Sequence, residues 1–178
     1  MVNTKWQMAA AGLIALLAAL YMMEVAVNDD EAVIIGSTQV IMITECSRVF
    51  QFVGDLSNYA MWFPGIENMT ASSPGPMRAG KEFEETVILP AFGEISREVV
   101  VTSYSVPRQL QFVYRDFSQT MIAIELIQKT ADRCHLYYSA ATRRTSYLFH
   151  VTAGIPLRIM YAMRGRHAMF AIRSMFNN

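Results

Sequence analysis

The chain has 178 residues, which suits one domain with or without an appendage rather than two domains with separate cores. Apolar residues make up 53% of the chain and charged residues only 17%, which excludes a disordered chain. The 15 basic and 15 acidic residues cancel, and the sequence therefore predicts no nucleic-acid partner.

The charges are distributed unevenly along the chain. Residues 1–128 contain 7 Lys and Arg against 14 Asp and Glu, whereas residues 129–178 contain 8 against the single Asp132. A basic segment with interspersed apolar residues suits an anionic lipid surface or an acidic partner, or is simply a solvated helix face. Residues 147–149 (YLF), close to Arg143 and Arg144, either rest on lipid headgroups or belong to the core.

The first predicted element is an apolar helix. Residues 8–23 contain no charged or amide side chain, and Trp6 and Val27 extend this run to 22 residues. As a helix that run is about 33 Å long, which predicts one transmembrane anchor over residues 6–27. A cleaved secretory signal peptide is the alternative, although the bulky residues 21–24 do not resemble a cleavage site.

Three features bear on the compartment. Lys5 precedes the helix and the next basic residue is Arg48, so the positive-inside rule places the body on the lumenal or extracytoplasmic side, with the mitochondrial inner membrane as the alternative. Cys46 and Cys134 fit either one disulfide in an oxidising compartment or two buried thiols. Residues 68–70 (NMT) match the acceptor pattern for N-glycosylation, which one chance match also explains.

The remainder of the chain is predicted to be one domain, over residues 38–177, after an acidic linker over residues 28–37. A β-branched strand at 39–44 precedes a helix at 47–56, in which apolar side chains recur at helical spacing. Six further strands separated by short turns indicate an antiparallel meander. These strands are predicted at residues 66–72, 83–89, 94–104, 109–115, 120–128 and 134–143.

A long helix over residues 156–176 closes the chain, with Pro156 in its first turn. The predicted fold class is therefore α+β, a curved seven-stranded antiparallel sheet wrapped around a long C-terminal helix and preceded by the transmembrane helix. Because one helix does not fill the concave side of such a sheet, we expect an apolar hollow between the two.

One local string carries a resemblance to a known family. Residues 55–59 (DLSNY) and 62–66 (WFPGI) resemble the D-x-x-N-Y-x-x-W-x-P-G segment of the START-like superfamily of polyketide cyclases and lipid-transport proteins, also called SRPBCC. Further similar positions are Gly80, residues 86–90 (TVILP) and residues 106–112 (VPRQLQF). The resemblance covers about residues 38–177 and implies a helix-grip fold. Since this superfamily includes lipid carriers, cyclases, hydrolase-related proteins and coenzyme Q-binding proteins, it leaves the function open.

The sequence contains no recognisable catalytic or metal motif. His135, His150 and His167 do not show metal-ligand spacing, and nucleophile-elbow, dinucleotide, P-loop and C-x-x-C patterns are absent. We therefore expect no catalytic residue, no metal and no cofactor, and we favour a binding protein over an enzyme.

One polar pair is predicted to lie inside the hollow. If Phe83 and Val87 face inward, the two-residue period of a strand turns Glu85 inward as well, and Arg97 faces the same side from the next strand. A charged pair in an apolar interior is costly unless the two side chains meet or bind the polar group of a ligand. A register shift of one residue is the alternative, and it would place both in solvent.

The favoured hypothesis is a membrane-tethered protein that binds or transfers a lipid or other hydrophobic small molecule in the hollow. The alternatives are a cyclase-type enzyme that uses polar residues of the same hollow, and a structural subunit of a larger membrane assembly with a filled interior. Trp62 and Phe63 either plug the core or contact a ligand at the cavity mouth. The candidate ligand-binding residues are Trp62, Phe63, Phe83, Glu85, Val87, Arg97, Val99, Phe112, Tyr114, Leu126, Tyr138, Met160 and Met163.

Overall fold

A computed structural model describes residues 4–23, 31–89 and 93–177. The first elements are helix α1 (Thr4–Met23), strand β1 (Val33–Met42), helix α2 (Cys46–Val53), a 3-10 turn (Leu56–Asn58) and the short helix α3 (Tyr59–Trp62). Six strands follow, β2 (Asn68–Ala71), β3 (Glu82–Leu89), β4 (Gly93–Ser105), β5 (Gln109–Tyr114), β6 (Thr120–Thr130) and β7 (Arg133–Thr142). The last two helices are α4 (Tyr147–Val151) and α5 (Gly154–Phe176).

The seven strands form one antiparallel sheet in the order β1-β7-β6-β5-β4-β3-β2. Strands β2 to β7 pair with their neighbours in sequence, which confirms the predicted meander. Strand β7 alternates buried and half-buried side chains along most of its length, because successive residues of a strand face opposite sides of the sheet. The predicted α+β architecture, a curved antiparallel sheet with a C-terminal helix, is confirmed.

Helix α5 packs mainly against β1. Its buried side chains include Tyr161, Ala168 and Ile172, which share one face at helical spacing. The approach is close at Gly36, where an added Cβ would lie 3.0 Å from the Cβ of Tyr161. A glycine at this position of β1 therefore lets the helix settle onto the sheet.

Two segments differ from the predicted elements. Strand β1 begins at Val33, so residues 33–37 of the predicted linker belong to the sheet, where they pair with β7 on both sides of a bulge between Ile34 and Gly36. Helix α4 was not predicted as a separate helix. Within it Phe149 is buried in the core, whereas its neighbours in sequence, Tyr147 and Leu148, are exposed.

Helix α1 does not support the predicted transmembrane anchor. It is described over Thr4–Met23, and residues 24–30, which include the end of the predicted anchor and the start of the predicted linker, lie outside the described residues. In the part of the chain that the structure describes, no helix combines the length and apolarity needed to cross a membrane.

Candidate functional site

Glu85 and Arg97 lie directly opposite each other on β3 and β4 and face the inner side of the sheet. The side chain of Glu85 is fully buried, and that of Arg97 keeps 19% of its exposure. Phe83 and Val87 share the phase of Glu85, and both are buried. The prediction of an inward-facing charged pair is therefore confirmed, and the alternative register is not the one observed.

Two nitrogens of Arg97 bind one oxygen of Glu85. Nε donates to Oε2 at 2.9 Å, and Nη2 donates to the same oxygen. The other oxygen, Oε1, accepts a 2.8 Å hydrogen bond from the hydroxyl of Tyr114 on β5. The guanidinium carbon of Arg97 also lies 4.3 Å from the centroid of the Tyr114 ring. These charge-assisted bonds and the cation–π contact offset the cost of removing the pair from water.

A second carboxylate extends the polar site beyond this pair. Nη1 of Arg97 lies 3.5 Å from Oδ2 of Asp116. Oδ1 of Asp116 accepts hydrogen bonds from the backbone nitrogen of Ser118 at 2.9 Å and from its hydroxyl at 2.6 Å. The Ser118 hydroxyl lies 2.7 Å from that of Thr120, which is fully buried. The interior therefore contains a connected polar network that runs from Glu85 to Thr120.

Burial keeps the tyrosines of this site protonated. Burial, followed by the charge of Glu85, raises the pKa of Tyr114 well above its usual value. Burial also raises the pKa of Tyr161 to about 12, against the opposing charge of Arg97. Burial by itself lowers the pKa of Arg97, but the acidic groups of Tyr114 and Glu85 outweigh that effect and raise it. At neutral pH the site therefore holds a charged guanidinium and phenols that act as hydrogen-bond donors.

An aromatic cluster fills the space beside the network. Tyr59 of α3 stacks on Phe63 at 4.9 Å between ring centroids and meets Trp62 edge-on at 4.9 Å. It also meets Phe112 edge-on at 5.4 Å, and Phe63 lies 5.3 Å from the ring of Tyr138. Trp62 and Phe63 are both buried. Of the two roles considered for them, this position agrees with packing in the core. The turn at Pro64 and Gly65, where φ is +84° at the glycine, follows this aromatic segment.

Three polar atoms inside the aromatic cluster have no hydrogen-bond partner among the described residues. They are the hydroxyls of Tyr59 and Tyr138 and Nε1 of Trp62. The two tyrosines influence each other's pKa, but their hydroxyls do not meet with the geometry of a hydrogen bond. Burial raises the pKa of both well above the usual value, so both remain donors. A buried donor without an acceptor costs about 1–3 kcal/mol, which makes three together unusual.

The structure corrects the expectation of an open apolar hollow. The side chains predicted to line it occupy the space themselves. Ten of these residues are less than 5% exposed, namely Trp62, Phe63, Phe83, Glu85, Val87, Val99, Phe112, Tyr114, Leu126 and Tyr138. Five surface cavities of the described residues have volumes of about 190 to 630 Å³. Leu126 borders one of them and Phe83 and Val99 border another, but none of the five includes Phe112, Tyr114 or Tyr138.

Two predicted lining residues lie elsewhere on α5. Met160 is half-buried, whereas Met163 is 56% exposed and does not line the interior. The buried face of α5 is set by Tyr161, and a residue two positions further along a helix is turned away from that face.

The sequence predictions missed four interior residues, Tyr59, Asp116, Thr120 and Tyr161. Thr120 shares the inward phase of Ile122 and Ile124, so strand periodicity contained a signal for it. Tyr161 was assigned to the apolar side of the last helix but not to a site. Asp116 follows β5 in a turn, where no periodic pattern indicates the direction of a side chain.

Neither a family model nor a curated protein matches the sequence. Solved structures match its fold. The Zhui aromatase/cyclase from a Streptomyces species has a TM-score of 0.60 and 13% identity, and the match covers 78% of this chain and 90% of that one. A major latex-like protein from Panax ginseng has a TM-score of 0.59 and 7% identity, with 79% and 95% covered.

A third similar structure is the di-domain aromatase/cyclase StfQ of the steffimycin biosynthetic pathway, with a TM-score of 0.62 and 8% identity. The match covers 81% of this chain and 51% of StfQ, so this chain spans about half of that protein. The chain shares their fold. It is the helix-grip architecture that the resemblance at residues 55–66 implied, and at these identities the likeness extends to the fold alone.

Proposed function

We propose that this chain binds a neutral hydrophobic small molecule that carries a hydroxyl or carbonyl group. The observation that carries the proposal is the set of three buried donors, on Tyr59, Trp62 and Tyr138, for which the described part of the chain offers no acceptor. A ligand oxygen placed among them would remove the cost of leaving them unpaired. The helix-grip fold and its likeness to two aromatase/cyclases and a latex-like protein support a small-molecule site in this interior.

The charge balance of the site favours a neutral ligand over an anionic one. Arg97 is bound to Glu85 and lies 3.5 Å from Asp116, so its charge is already matched by two carboxylates. A carboxylate or phosphate entering the interior would require a cation that is not so paired. The phenols of Tyr59 and Tyr138 stay protonated and can donate to an uncharged oxygen.

Entry of a ligand requires the aromatic side chains to move. Tyr59 and Trp62 belong to a helix of only 4 residues, and Phe63 follows it directly. A short helical segment is easier to displace than a long strand, because few backbone hydrogen bonds hold it. Displacement of Tyr59, Trp62 and Phe63 would open the space that they occupy between the sheet and α3.

Trp62 provides the measurement. In a Trp6→Phe background it is the single tryptophan, and its fluorescence reports on ligands inside the cluster. We expect 2-acetonaphthone to quench this fluorescence saturably and 2-naphthoate, the carboxylate of similar shape, not to do so. Tyr138→Phe should lower the affinity for the ketone at least about fivefold, which is the equivalent of one hydrogen bond. Tyr147→Phe, at an exposed site, is the matched control and should change nothing. Equal binding of both probes, or of neither, would contradict the proposal.

A cyclase-type reaction in the same interior is a second candidate. The favouring observation is the 2.8 Å bond between the Tyr114 hydroxyl and Glu85, which places a proton donor against a carboxylate in an apolar surrounding. Incubation with a poly-β-ketone thioester analogue tests it. An enzyme with this site should form an aromatic chromophore, and Glu85→Gln should abolish that turnover while leaving ketone binding intact.

The filled interior also agrees with a structural subunit, the third of the sequence-based hypotheses. This alternative predicts that no hydrophobic probe enters and that the side chains of the aromatic cluster never separate. Failure of both naphthalene probes, together with co-purification of the chain in a membrane assembly, would favour it.

For the location we propose the surface of an anionic membrane that faces an oxidising compartment, and the disulfide between Cys46 and Cys134 supports this compartment. Ile155, Ile159, Met163 and Phe170 form an exposed stripe along the outer side of α5. Arg166 and other exposed arginines flank this stripe, and residues 133–178 contain no acidic side chain. Large apolar side chains beside arginines are what an amphipathic helix uses to lie on anionic lipid.

Vesicle sedimentation tests this location. We expect the full chain to bind vesicles of phosphatidylcholine with phosphatidylserine, and to bind pure phosphatidylcholine weakly, with an affinity that falls as salt rises. The double variant Ile159→Ser and Phe170→Ser should lose binding. The control Ile88→Ser, at an exposed position of β3, should retain it. Binding that is indifferent to lipid charge would contradict the proposal.

A further inference from the structure

The acceptor pattern at residues 68–70 lies on strand β2, and the function proposed above does not use it. Asn68 and Thr70 are exposed on the outer face of the strand, while Met69 between them is buried. The Asn68 side chain donates from Nδ2 to the Thr70 hydroxyl at 3.0 Å. No other asparagine in the 178 residues is followed two positions later by Ser or Thr. The two side chains of the pattern are therefore accessible and already adjacent.

The position of β2 in the sheet leaves room for a bulky group. Among the described strands it is the last in the sheet order and pairs with β3 alone, where Thr86 lies opposite Asn68. Exposed sheet edges template the addition of strands from other molecules, and proteins commonly protect them. A large polar group on the outer face of β2 would shield this edge without disturbing Met69, which lies opposite Glu85 of the polar network.

A second, independent observation concerns the compartment. Cys46 and Cys134 form a disulfide that joins the start of α2 to β7, and both residues are buried. Disulfides form and persist in oxidising compartments, and the lumen in which secreted proteins fold is also where asparagines receive glycans. An exposed acceptor pattern and a buried disulfide thus indicate the same environment.

We propose that Asn68 is N-glycosylated, an inference that rests on the proposed oxidising compartment but not on ligand binding. The donor is an oligosaccharide linked through a pyrophosphate to a lipid. The amide nitrogen of Asn68 forms a bond to the anomeric carbon of the first sugar as the bond from that carbon to the pyrophosphate oxygen breaks. The lipid pyrophosphate leaves with the electron pair, and the amide nitrogen loses one proton. No oxidant or reductant is involved.

Expression of the full chain in a eukaryotic cell tests the proposal by intact mass and by enzymatic release of the glycan in heavy-oxygen water. We expect the chain to carry one oligosaccharide, and release to convert the residue at position 68 to an oxygen-labelled aspartate. Asn68→Gln and Thr70→Ala should both lack the glycan, whereas Thr70→Ser, which keeps the hydroxyl, should retain it. Because Thr70 is exposed, its variants should fold alike, and the pair separates loss of the acceptor pattern from misfolding.

The cysteines distinguish the two ways in which the proposal can fail. Chains with an intact disulfide and unmodified Asn68 would overturn the glycosylation while leaving the compartment in place. Chains with free thiols at Cys46 and Cys134 and unmodified Asn68 would overturn both. The naphthalene measurements are independent of either result.

Discussion

The two ends of the interior are built on different principles. Around α2 the core is apolar, with Val49 and Phe50 fully or almost fully buried, and the disulfide between Cys46 and Cys134 closes it. Between β3 and β5 the interior instead contains a carboxylate and a guanidinium, and the aromatic cluster beside them holds donors that have no acceptor among the described residues. Cross-linked apolar packing and buried polar groups therefore lie in separate parts of this fold, and only the second part holds the site that we propose to bind a ligand. One end is cross-linked and inert, whereas the other keeps polar groups that a core selected only for stability would not retain.

The largest expected effect is at the apolar end. Replacing both Cys46 and Cys134 by Ala removes a cross-link between residues 88 positions apart. A loop of that length predicts a loss of about 4 to 5 kcal/mol in the free energy of unfolding, since the unfolded chain regains its freedom. Urea denaturation of the full chain measures it. A reducing agent should destabilise the wild type by a similar amount and leave the double variant unchanged, and a loss below about 1 kcal/mol would contradict this role.

Removing one member of the ion pair should lower the free energy of unfolding almost as much as removing the disulfide. Glu85→Leu leaves the Arg97 charge with Asp116 alone, and we expect a loss of about 3 kcal/mol in the free energy of unfolding. The double variant Glu85→Leu and Arg97→Leu should lose clearly less stability than Glu85→Leu alone, because it leaves no buried charge unmatched. A double-mutant cycle by urea denaturation gives the coupling energy. Additive effects of the two substitutions would show that the pair is not coupled.

Two tyrosines sharpen the contrast between satisfied and unsatisfied donors. Tyr114→Phe removes a hydrogen bond to the Glu85 carboxylate and should lower the free energy of unfolding by about 2 kcal/mol. Tyr138→Phe removes a buried hydroxyl that no described residue pairs with, and it should raise the free energy of unfolding by about 1 kcal/mol. The same variant should bind the ketone probe less tightly, so that a gain of stability and a loss of binding occur together. Changes of the same sign in the two variants would break the distinction.

Titration with base tests the burial of the tyrosines as a group. Burial raises the pKa of Tyr161 to about 12, and it raises the pKa values of Tyr59, Tyr114 and Tyr138 as well. A raised pKa stabilises the folded state fully below the ordinary value of about 10, and that contribution is lost as the pH rises through the folded value. Between pH 10 and its folded pKa, each such tyrosine should therefore lower the free energy of unfolding by about 1.4 kcal/mol per pH unit. Denaturation curves at increasing pH, with tyrosinate absorbance followed in parallel, test this slope. Titration of all tyrosines near pH 10 in the folded protein would contradict it.

Periodicity explains why so much of the fold was predictable. Successive residues of a strand face opposite sides of the sheet, so a shift of one residue would have exposed Phe83 and Val87 to solvent. Both are buried, and Glu85 between them therefore faces inward as predicted. The start of β1 was not predictable in this way, since residues 33–37 pair with β7 across a bulge that breaks the period. The anchor at residues 6–27 was inferred from composition, and the structure does not support it.

The order of the elements, the antiparallel meander and the inward phase of Glu85 and Arg97 follow from the amino-acid sequence alone, because they depend on local spacing along the chain. Three further features are visible only in the folded chain: the interior is filled, Cys46 and Cys134 form a disulfide, and Asp116 and Tyr161 lie near the charged pair. These outcomes depend on how far apart the sheet and the helices settle and on which side chains enter the space between them. Residues that are distant in sequence jointly determine the spacing between the sheet and the helices, so no local sequence pattern predicts it.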